Sequence, residues 1–378
     1  FQVDWNVCAV TARVCHLAIS LAPGGLEQLV VNWTNARNAR QAGSTQICTL
    51  DEGGALQRQV KDAEVSALQA RRGRFPWDRR AVSRLRQILA DVDVVHSHNL
   101  AAQQYAVLAS RRLGVRHVHT EHGSNPHTGG RINQVRLHYV GRKTDALVCV
   151  SQDTALKMAP AWAVPRECVH VITNGVSAHV PLSGSDQEQL KATHGIPSGA
   201  FVLGSVGRLS REKRYDRLIR ALAEMRRHAP RPDVVLVLVG DGPERPALEG
   251  LVSELNLAPH VFFCGYQENA RSFLNVFDLF LLSSETEGMP VALLEAMAAG
   301  CPVGITNVGD CLDVIDGGNA GILLPDDEAM WPELLAELVA GGREALLRVG
   351  AAGLQRLETH YQESATLDAY EHLYGGDS

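Results

Sequence analysis

Twice along the chain, short apolar runs alternate with helix-length segments, and this alternation limits the fold more than any other feature. In the first half the apolar runs cover residues 14–21, 46–50, 92–96, 115–120, 146–150 and 168–172. In the second they cover 201–206, 234–239, 261–264, 277–282 and 303–306. Between them the patterning predicts helices over 26–39, 78–90, 103–113, from 153, over 215–227, 244–255 and 292–299, with closing helices over 342–378. Strand, helix, strand with short loops means parallel sheets covered by helices on both faces, an α/β fold. At 378 residues the chain exceeds one ordinary core, so two such domains are expected. Pro181, Ser183-Gly184-Ser185 and Pro197-Ser198-Gly199 place the boundary within 180–200. Two domains joined this way are expected to face each other across a cleft, a usual place for a ligand.

The stretch Ser284 to Gly300 carries the densest chemistry. It follows the run 277–282 and reads as strand, acidic loop and helix. Pro290 suits the first helical turn, where its missing N–H costs nothing, and Gly300 with Pro302 supplies the stop. A helix start presents unpaired N–H groups and a partial positive charge, which favours a phosphate. Glu287 stands just before that start and Glu295 about a turn and a half inside it, so two carboxylates flank an anion site and could accept sugar hydroxyls. The plainer reading is that a glutamate near a helix start complements the dipole with no ligand present.

Other candidates are weaker taken singly. Gly24-Gly25 between the first strand and helix would let backbone approach a ligand, or would make a tight turn. It does not supply the GxGxxG of a dinucleotide-binding oxidoreductase. His98, His119 and His122 lie near strand ends, but their spacing matches no usual zinc pattern and no metal is expected. Asp91-Val92-Asp93 has the DxD form used by metal-dependent sugar transferases, yet it precedes a strand, at the wrong edge for a ligand.

Composition narrows the classes. With 45% hydrophobic and 21% charged residues the chain is globular, and no apolar run approaches the roughly 18–20 residues of a membrane span. The eight cysteines are scattered with no CxxC pair, which favours buried thiols in a reducing, cytoplasmic setting. Residues 1–13 show no signal-peptide layout and no fold pattern; they are read as a processed, truncated or added lead and set aside. Residues 1–180 hold 21 Lys and Arg against 13 Asp and Glu, while 181–378 hold 15 against 29. Seven arginines fall within 71–86, with Phe75 and Trp77 among them. That passage could meet an anionic acceptor or membrane surface, or be a solvated helix whose apolar face is Val82, Leu85, Ile88 and Leu89.

Four motifs of the second half occur together and in order: Gly207-Arg208 with Lys213; Gly240-Asp241-Gly242-Pro243; Val261 to Gly265; and Glu287-Gly288-x-Pro290 leading to Glu295-Ala296-Met297-Ala298 and Gly300-x-Pro302-Val303. With Gly24-Gly25-Leu26-Glu27, Val94-Val95-His96-Ser97-His98 and Thr120-Glu121-His122-Gly123, the chain resembles the retaining glycosyltransferases of family four, which have the GT-B fold of two Rossmann-like parallel-sheet domains. The resemblance implies an acceptor-binding domain over 1–178, a donor-binding domain over 179–357, and a C-terminal helix over 358–378 packing back on the first domain. It implies transfer of a sugar from a nucleotide-sugar, a UDP-sugar being the first expectation, to a glycan, lipid-linked or small-molecule hydroxyl with retention of anomeric configuration. Arg208 and Lys213 would hold the diphosphate. Glu287 and His122 would contact the donor sugar, Glu295 the ribose, and Gly288, Met289 and Pro290 would present the helix start. Gly25 would let the first loop approach the donor or acceptor. The resemblance implies no metal and no cofactor, and no nucleic-acid partner is expected. The basic first half is compatible with peripheral attachment to the inner face of a membrane.

Two departures stand out: Asn174-Gly175-Val176-Ser177 where the family often has Asn-Gly-Val-Asp, and Gly309-Asp310-Cys311-Leu312-Asp313 where it often has Gly-Gly-x-x-Glu. Alternatives on the same fold are a nucleotide-sugar epimerase-like enzyme and a non-catalytic nucleotide-sugar binding protein. The latter would be expected to lose His122 or Glu287 first, and both are present. A phosphorylase of this fold would need a lysine for pyridoxal phosphate, and none is placed for it.

Overall fold

The computed structural model of the protein describes residues 12–71, 77–123, 131–228 and 234–375. The chain divides into two compact units, residues 1–172 with 367–378, and residues 173–366. Unit 1 contains the strands β1 (Val14–Ala18), β2 (Thr45–Thr49), β3 (Val65–Ala67), β4 (Val94–His98), β5 (Arg116–Glu121), β6 (Ala146–Cys149) and β7 (Val169–Val171). All pair in parallel, in the order β3-β2-β1-β4-β5-β6-β7. Unit 2 contains β8 (Phe201–Val206), β9 (Val234–Val239), β10 (Val261–Gly265), β11 (Leu279–Leu282), β12 (Val303–Ile305) and β13 (Ile322–Leu323), again parallel, in the order β10-β9-β8-β11-β12-β13. In both sheets the winding reverses beside the first strand, between β1 and β4 and between β8 and β11. Ligands of doubly wound sheets gather at the carboxyl ends of strands at such a switch point.

The division differs in place from the expected 178/179 and 357/358. Residues 180–200 are not a bare linker: they hold the helix Gly184–Thr193, whose N-cap Ser183 accepts a hydrogen bond from the Asp186 N–H. Serine and glycine there start a helix, which is the other common use of those residues. The short edge strands β3 and β13 carried too few residues to read in advance.

The last crossing is made by the helix Glu363–Gly375, whose residues from 367 onward belong to unit 1. Arg37, on the helix Gly25–Arg40, anchors it there. Its guanidinium is 3% exposed and uses all five donors: two on the Glu371 carboxylate, one each on Ser44 O, Thr45 Oγ1 and Ala12 O. A buried charge is tolerated when paired and fully hydrogen-bonded in this way.

The helix Arg79–Leu89 is capped by Asp78, which accepts from the Arg80 N–H. Its apolar side, with Ala81, Leu85 and Leu89 buried, packs into the core of unit 1, while Arg79, Arg80 and Arg84 are exposed. The plainer reading of this passage describes the observed packing; Phe75 lies outside the described residues. No described helix is long and apolar enough to cross a membrane. The seven described cysteines are free thiols, five of them buried.

Candidate active site

Two loops of unit 2 meet at the switch point of its sheet. The first leaves β8 through Gly207-Arg208 and makes a single tight turn over Arg211–Lys213. The second leaves β11 through Ser283-Ser284 and reaches the helix Val291–Ala298. Backbone bonds lace them together: the Glu285 N–H donates to Glu212 O at 2.8 Å, and Ser283 Oγ donates to Lys213 O at 2.8 Å. From the side, Arg217 Nη1 donates to Ser283 O at 3.1 Å. The β9 loop supports the first from below. Gly240 has φ +134°, and a Cβ there would stand 2.0 Å from Gly207 O, so this contact admits only glycine.

This lacing places Lys213 Nζ 2.5 Å from Glu287 Oε1, and Ser284 Oγ donates to the same oxygen at 2.6 Å. Both charged side chains are largely shielded, 22% and 11% exposed. Lys213 and Glu287 are therefore brought together. Arg208 is not part of that pair: it is exposed, its carbonyl accepts from the Ser210 N–H, and its side chain makes no hydrogen bond or ion pair among the described residues.

Gly288 and Met289 complete the turn, and Pro290 occupies the N-cap of the helix Val291–Ala298, one residue earlier than the first-turn position expected for it. Its extended backbone, φ −72° and ψ 118°, still directs the chain into the helix. Asn174, 2% exposed, donates from Nδ2 to Met289 O at 3.3 Å, so the Asn174-Gly175 segment braces this turn. Gly309 lies against its other side. At φ +53° its Cβ would stand 2.3 Å from Glu287 O and 2.6 Å from Gly288 O, and the Asp310 N–H donates to Gly288 O. The departure at Gly309-Asp310-Cys311 thus keeps the backbone approach that the turn requires.

Glu295 sits apart from Glu287 in its contacts. Its carboxylate is 13% exposed, and the nearest cation is Arg271, with Nε 3.8 Å from Oε1. Arg271 in turn donates to Ser177 Oγ and Ser177 O at 3.0 and 2.9 Å. Burial pushes the Glu295 carboxyl up to about 7, and Arg271 only partly opposes this. Arg271 had no functional reading in the sequence, Ser284 entered only as the start of the stretch that leads to Glu287, and Asn174 and Gly309 entered only within the two segments that depart from the family pattern.

In unit 1, Gly25 begins the helix Gly25–Arg40 and is exposed, and the preceding Gly24 caps it without a side chain. His96, Ser97 and His98 belong to β4 itself rather than to an exit beyond it, and all three are buried. One face of the sheet presents His16, His96 and His98; Ser97 on the other bonds His117 Nε2 at 2.9 Å and His119 Nδ1 at 3.0 Å. His96 is held between Tyr374 OH and Thr120 Oγ1, each at 2.7 Å. His98 uses its two nitrogens on His16 Nδ1 and His122 Nε2, each at 3.0 Å. Burial pushes His16 and His122 down to about 3 and His117 to about 4, so these rings are neutral near pH 7. Ring nitrogens of His16, His96 and His98 lie within 4.8 Å of one another, but both nitrogens of His96 and His98 are engaged in hydrogen bonds, which does not fit a metal-ligand set.

Two family models match the chain: Glycosyltransferase Family 4 over residues 23–180 and Glycosyl transferases group 1 over residues 186–353. It is similar to the lipopolysaccharide core biosynthesis glycosyltransferase LpsD of Rhizobium meliloti, with 28% identity over 388 residues that cover 96% of this chain and 98% of the relative. It is also similar to N-acetyl-alpha-D-glucosaminyl L-malate synthase of Bacillus anthracis, with 26% identity over 307 residues and 79% of each chain covered. Among solved structures, Anabaena HepE in complex with UDP-glucose shares the fold, with a TM-score of 0.80 at 22% identity over 95% of this chain and 98% of that one.

Proposed function

The chain belongs to the group 1 glycosyltransferases of the GT-B fold, and from that premise we propose a retaining transferase that uses a UDP-sugar and glycosylates a hydroxyl of a glycan, lipid-linked or small-molecule acceptor. The observation that carries the donor site is the Lys213–Glu287 pair at the switch point of the unit 2 sheet, beside the start of the helix Val291–Ala298. In this reading Lys213 and Arg208 neutralise the diphosphate as the glycosidic bond breaks, and the unpaired N–H groups of the helix start add to the same field. Glu287, released from part of its bond to Lys213, accepts hydroxyls of the donor sugar. Glu295 accepts from the ribose. His122, neutral, serves the sugar as a hydrogen-bond partner. Retention would follow from a front-face substitution: the acceptor oxygen bonds the anomeric carbon, the phosphate leaves on the same face, and a phosphate oxygen takes the acceptor proton.

UDP is preferred because the HepE complex holds UDP-glucose. No resident cofactor is proposed. A peripheral contact with anionic lipid would draw on exposed residues of this passage such as Arg79, Arg80, Arg84 and Trp77, because the apolar side of the helix itself is buried. The test is thermal stabilisation by UDP, GDP, ADP and their sugars, followed by transfer assays with the donor that stabilises. UDP is expected to stabilise most, and hydrolysis or epimerisation without transfer would overturn the reading.

A further inference from the structure

A carboxylate has two oxygens, and the two donors that reach Glu287 both bond the same one. Lys213 Nζ stands 2.5 Å and Ser284 Oγ 2.6 Å from Oε1, and no hydrogen bond among the described residues engages Oε2. The two donors differ in kind. Lys213 carries its ammonium on a long rotatable stem and, in the function proposed above, is also claimed by the diphosphate. Ser284 carries one hydroxyl proton close to the backbone, and Glu287 is its acceptor.

Ser284 is itself held firmly. It is 1% exposed and stands two residues beyond the end of β11. Thr306, just past the end of β12, donates from Oγ1 to Ser284 O at 2.8 Å, and its N–H donates to Leu282 O at 3.0 Å. On the preceding residue, Ser283 O accepts from Arg217 Nη1 and Ser283 Oγ donates to Lys213 O. The hydroxyl therefore rides on backbone tied to β12 on one side and to the β8 loop on the other. A serine three residues before a glutamate also spells a helix capping box. Here the helix begins only at Val291, and the hydroxyl donates to the carboxylate instead of accepting from a helix N–H.

Diphosphate drawn to Lys213 weakens the ammonium's hold on Glu287 and repels the carboxylate. Ser284 is neutral, so the phosphate charge does not compete for it in the same way, and it is then the remaining donor to Oε1 among the described residues. We infer that Ser284 is a positioning residue for sugar transfer: its hydroxyl keeps the Glu287 carboxylate in place while Lys213 serves the diphosphate, with Oε2 left unbonded. This rests on the roles proposed above for Glu287 and Lys213. The contribution of Ser284 should accordingly appear in the reaction and not in nucleotide binding, and it should vanish when Glu287 is absent.

The test is Ser284→Ala made alone and in the Glu287→Ala background, with transfer kinetics on the UDP-sugar that gives transfer, UDP affinity by calorimetry, and melting temperature. Alone, Ser284→Ala is expected to lower kcat/KM about 10- to 100-fold, the scale of one hydrogen bond to a charged group, with UDP affinity within about twofold of the unaltered protein. In the Glu287→Ala background the same substitution should change kcat/KM by less than about twofold, because the hydroxyl then has no carboxylate to hold. An equal loss of kcat/KM in both backgrounds overturns the inference, since Ser284 would then act without Glu287. So does a loss of UDP affinity as large as the loss of kcat/KM, which would make Ser284 a support of the whole loop, and so does Ser284→Ala with unaltered kinetics. Glu287→Ala that transfers sugar as well as the unaltered protein overturns the proposed role of Glu287 instead.

Discussion

Lys213 and Glu287 neutralise each other across two loops, with Nζ 2.5 Å from Oε1 and Ser284 Oγ on the same oxygen. Each single truncation leaves a shielded charge without its partner, so the pair should be strongly non-additive. In a double-mutant cycle by chemical denaturation, Lys213→Ala with Glu287→Ala is expected to show coupling of about 1–3 kcal/mol. Additive effects would mean the pair contributes nothing to the fold. In the same variants, Glu287→Ala should cost transfer more than UDP binding, and Lys213→Ala should cost both.

Arg208 contrasts with Lys213 because no hydrogen bond or ion pair among the described residues holds its side chain. Arg208→Ala is expected to leave intrinsic stability within about 0.5 kcal/mol. Saturating UDP should stabilise the variant less, by about 1.4 kcal/mol for each tenfold loss of affinity. Unchanged stabilisation by UDP would remove Arg208 from the phosphate site.

Glu295 should make the protein less stable as pH rises. Its carboxyl moves from 4.5 to about 7 on folding, so between those values the folded chain holds a proton that the unfolded chain has lost. Its contribution is fully present below pH 4.5, is lost as pH rises through 7, and amounts to about 3 kcal/mol. Glu295→Gln is therefore expected to melt above the unaltered protein at pH 8 and level with it at pH 4.5, while binding UDP more weakly. Equal melting temperatures at both values would count against the buried carboxyl.

The histidines of unit 1 act in the opposite sense. Folding lowers His16 and His122 to about 3, His117 to about 4, and His96, His98 and His119 well below 6.5. Stability is lost as pH falls below 6.5, by about 1.4 kcal/mol per pH unit for each ring, because the unfolded chain takes up the protons. Hydrogen exchange near pH 5 should show β1, β4 and β5 losing protection before β8 and β11. Simultaneous loss in both units would refute this.

Gly309→Ala should damage the reaction without touching a candidate ligand contact. The new methyl meets Glu287 O and Gly288 O in a left-handed backbone, a strain of about 1–3 kcal/mol that moves the turn holding Glu287. Transfer is expected to fall more than UDP affinity; an equal fall in both would place the damage elsewhere.

Much of the fold could be read from the chain because its signals are local. The apolar runs that became β8, β9 and β11 are bounded by glycines and serines, and the helix after Pro290 is bracketed by its own start and stop residues. Lys213, Glu287 and Glu295 were legible because their spacing repeats a family pattern. Their partners were not: Arg271 finds Ser177 across 94 positions, and Gly309 finds Glu287 only once β11 and β12 are paired. For the histidines of β4 and β5 the sequence showed only that they lie near strand ends; that they satisfy one another inside the sheet layers depends on partners distant in the chain.

The ends of unit 2 are tied together. Thr366 Oγ1 donates to Thr173 O at 2.9 Å, and Val176 pairs with Gln362. Unit 2 is thus an insertion that leaves and rejoins the host chain through one doorway, as a loop does, although it holds 173–366 with its own sheet and core. A gene fragment covering 173–366 would have adjacent termini and would carry Arg208, Lys213, Glu287 and Glu295 together. Nucleotide recognition could then be bred, swapped or titrated in a piece about half the size of the enzyme.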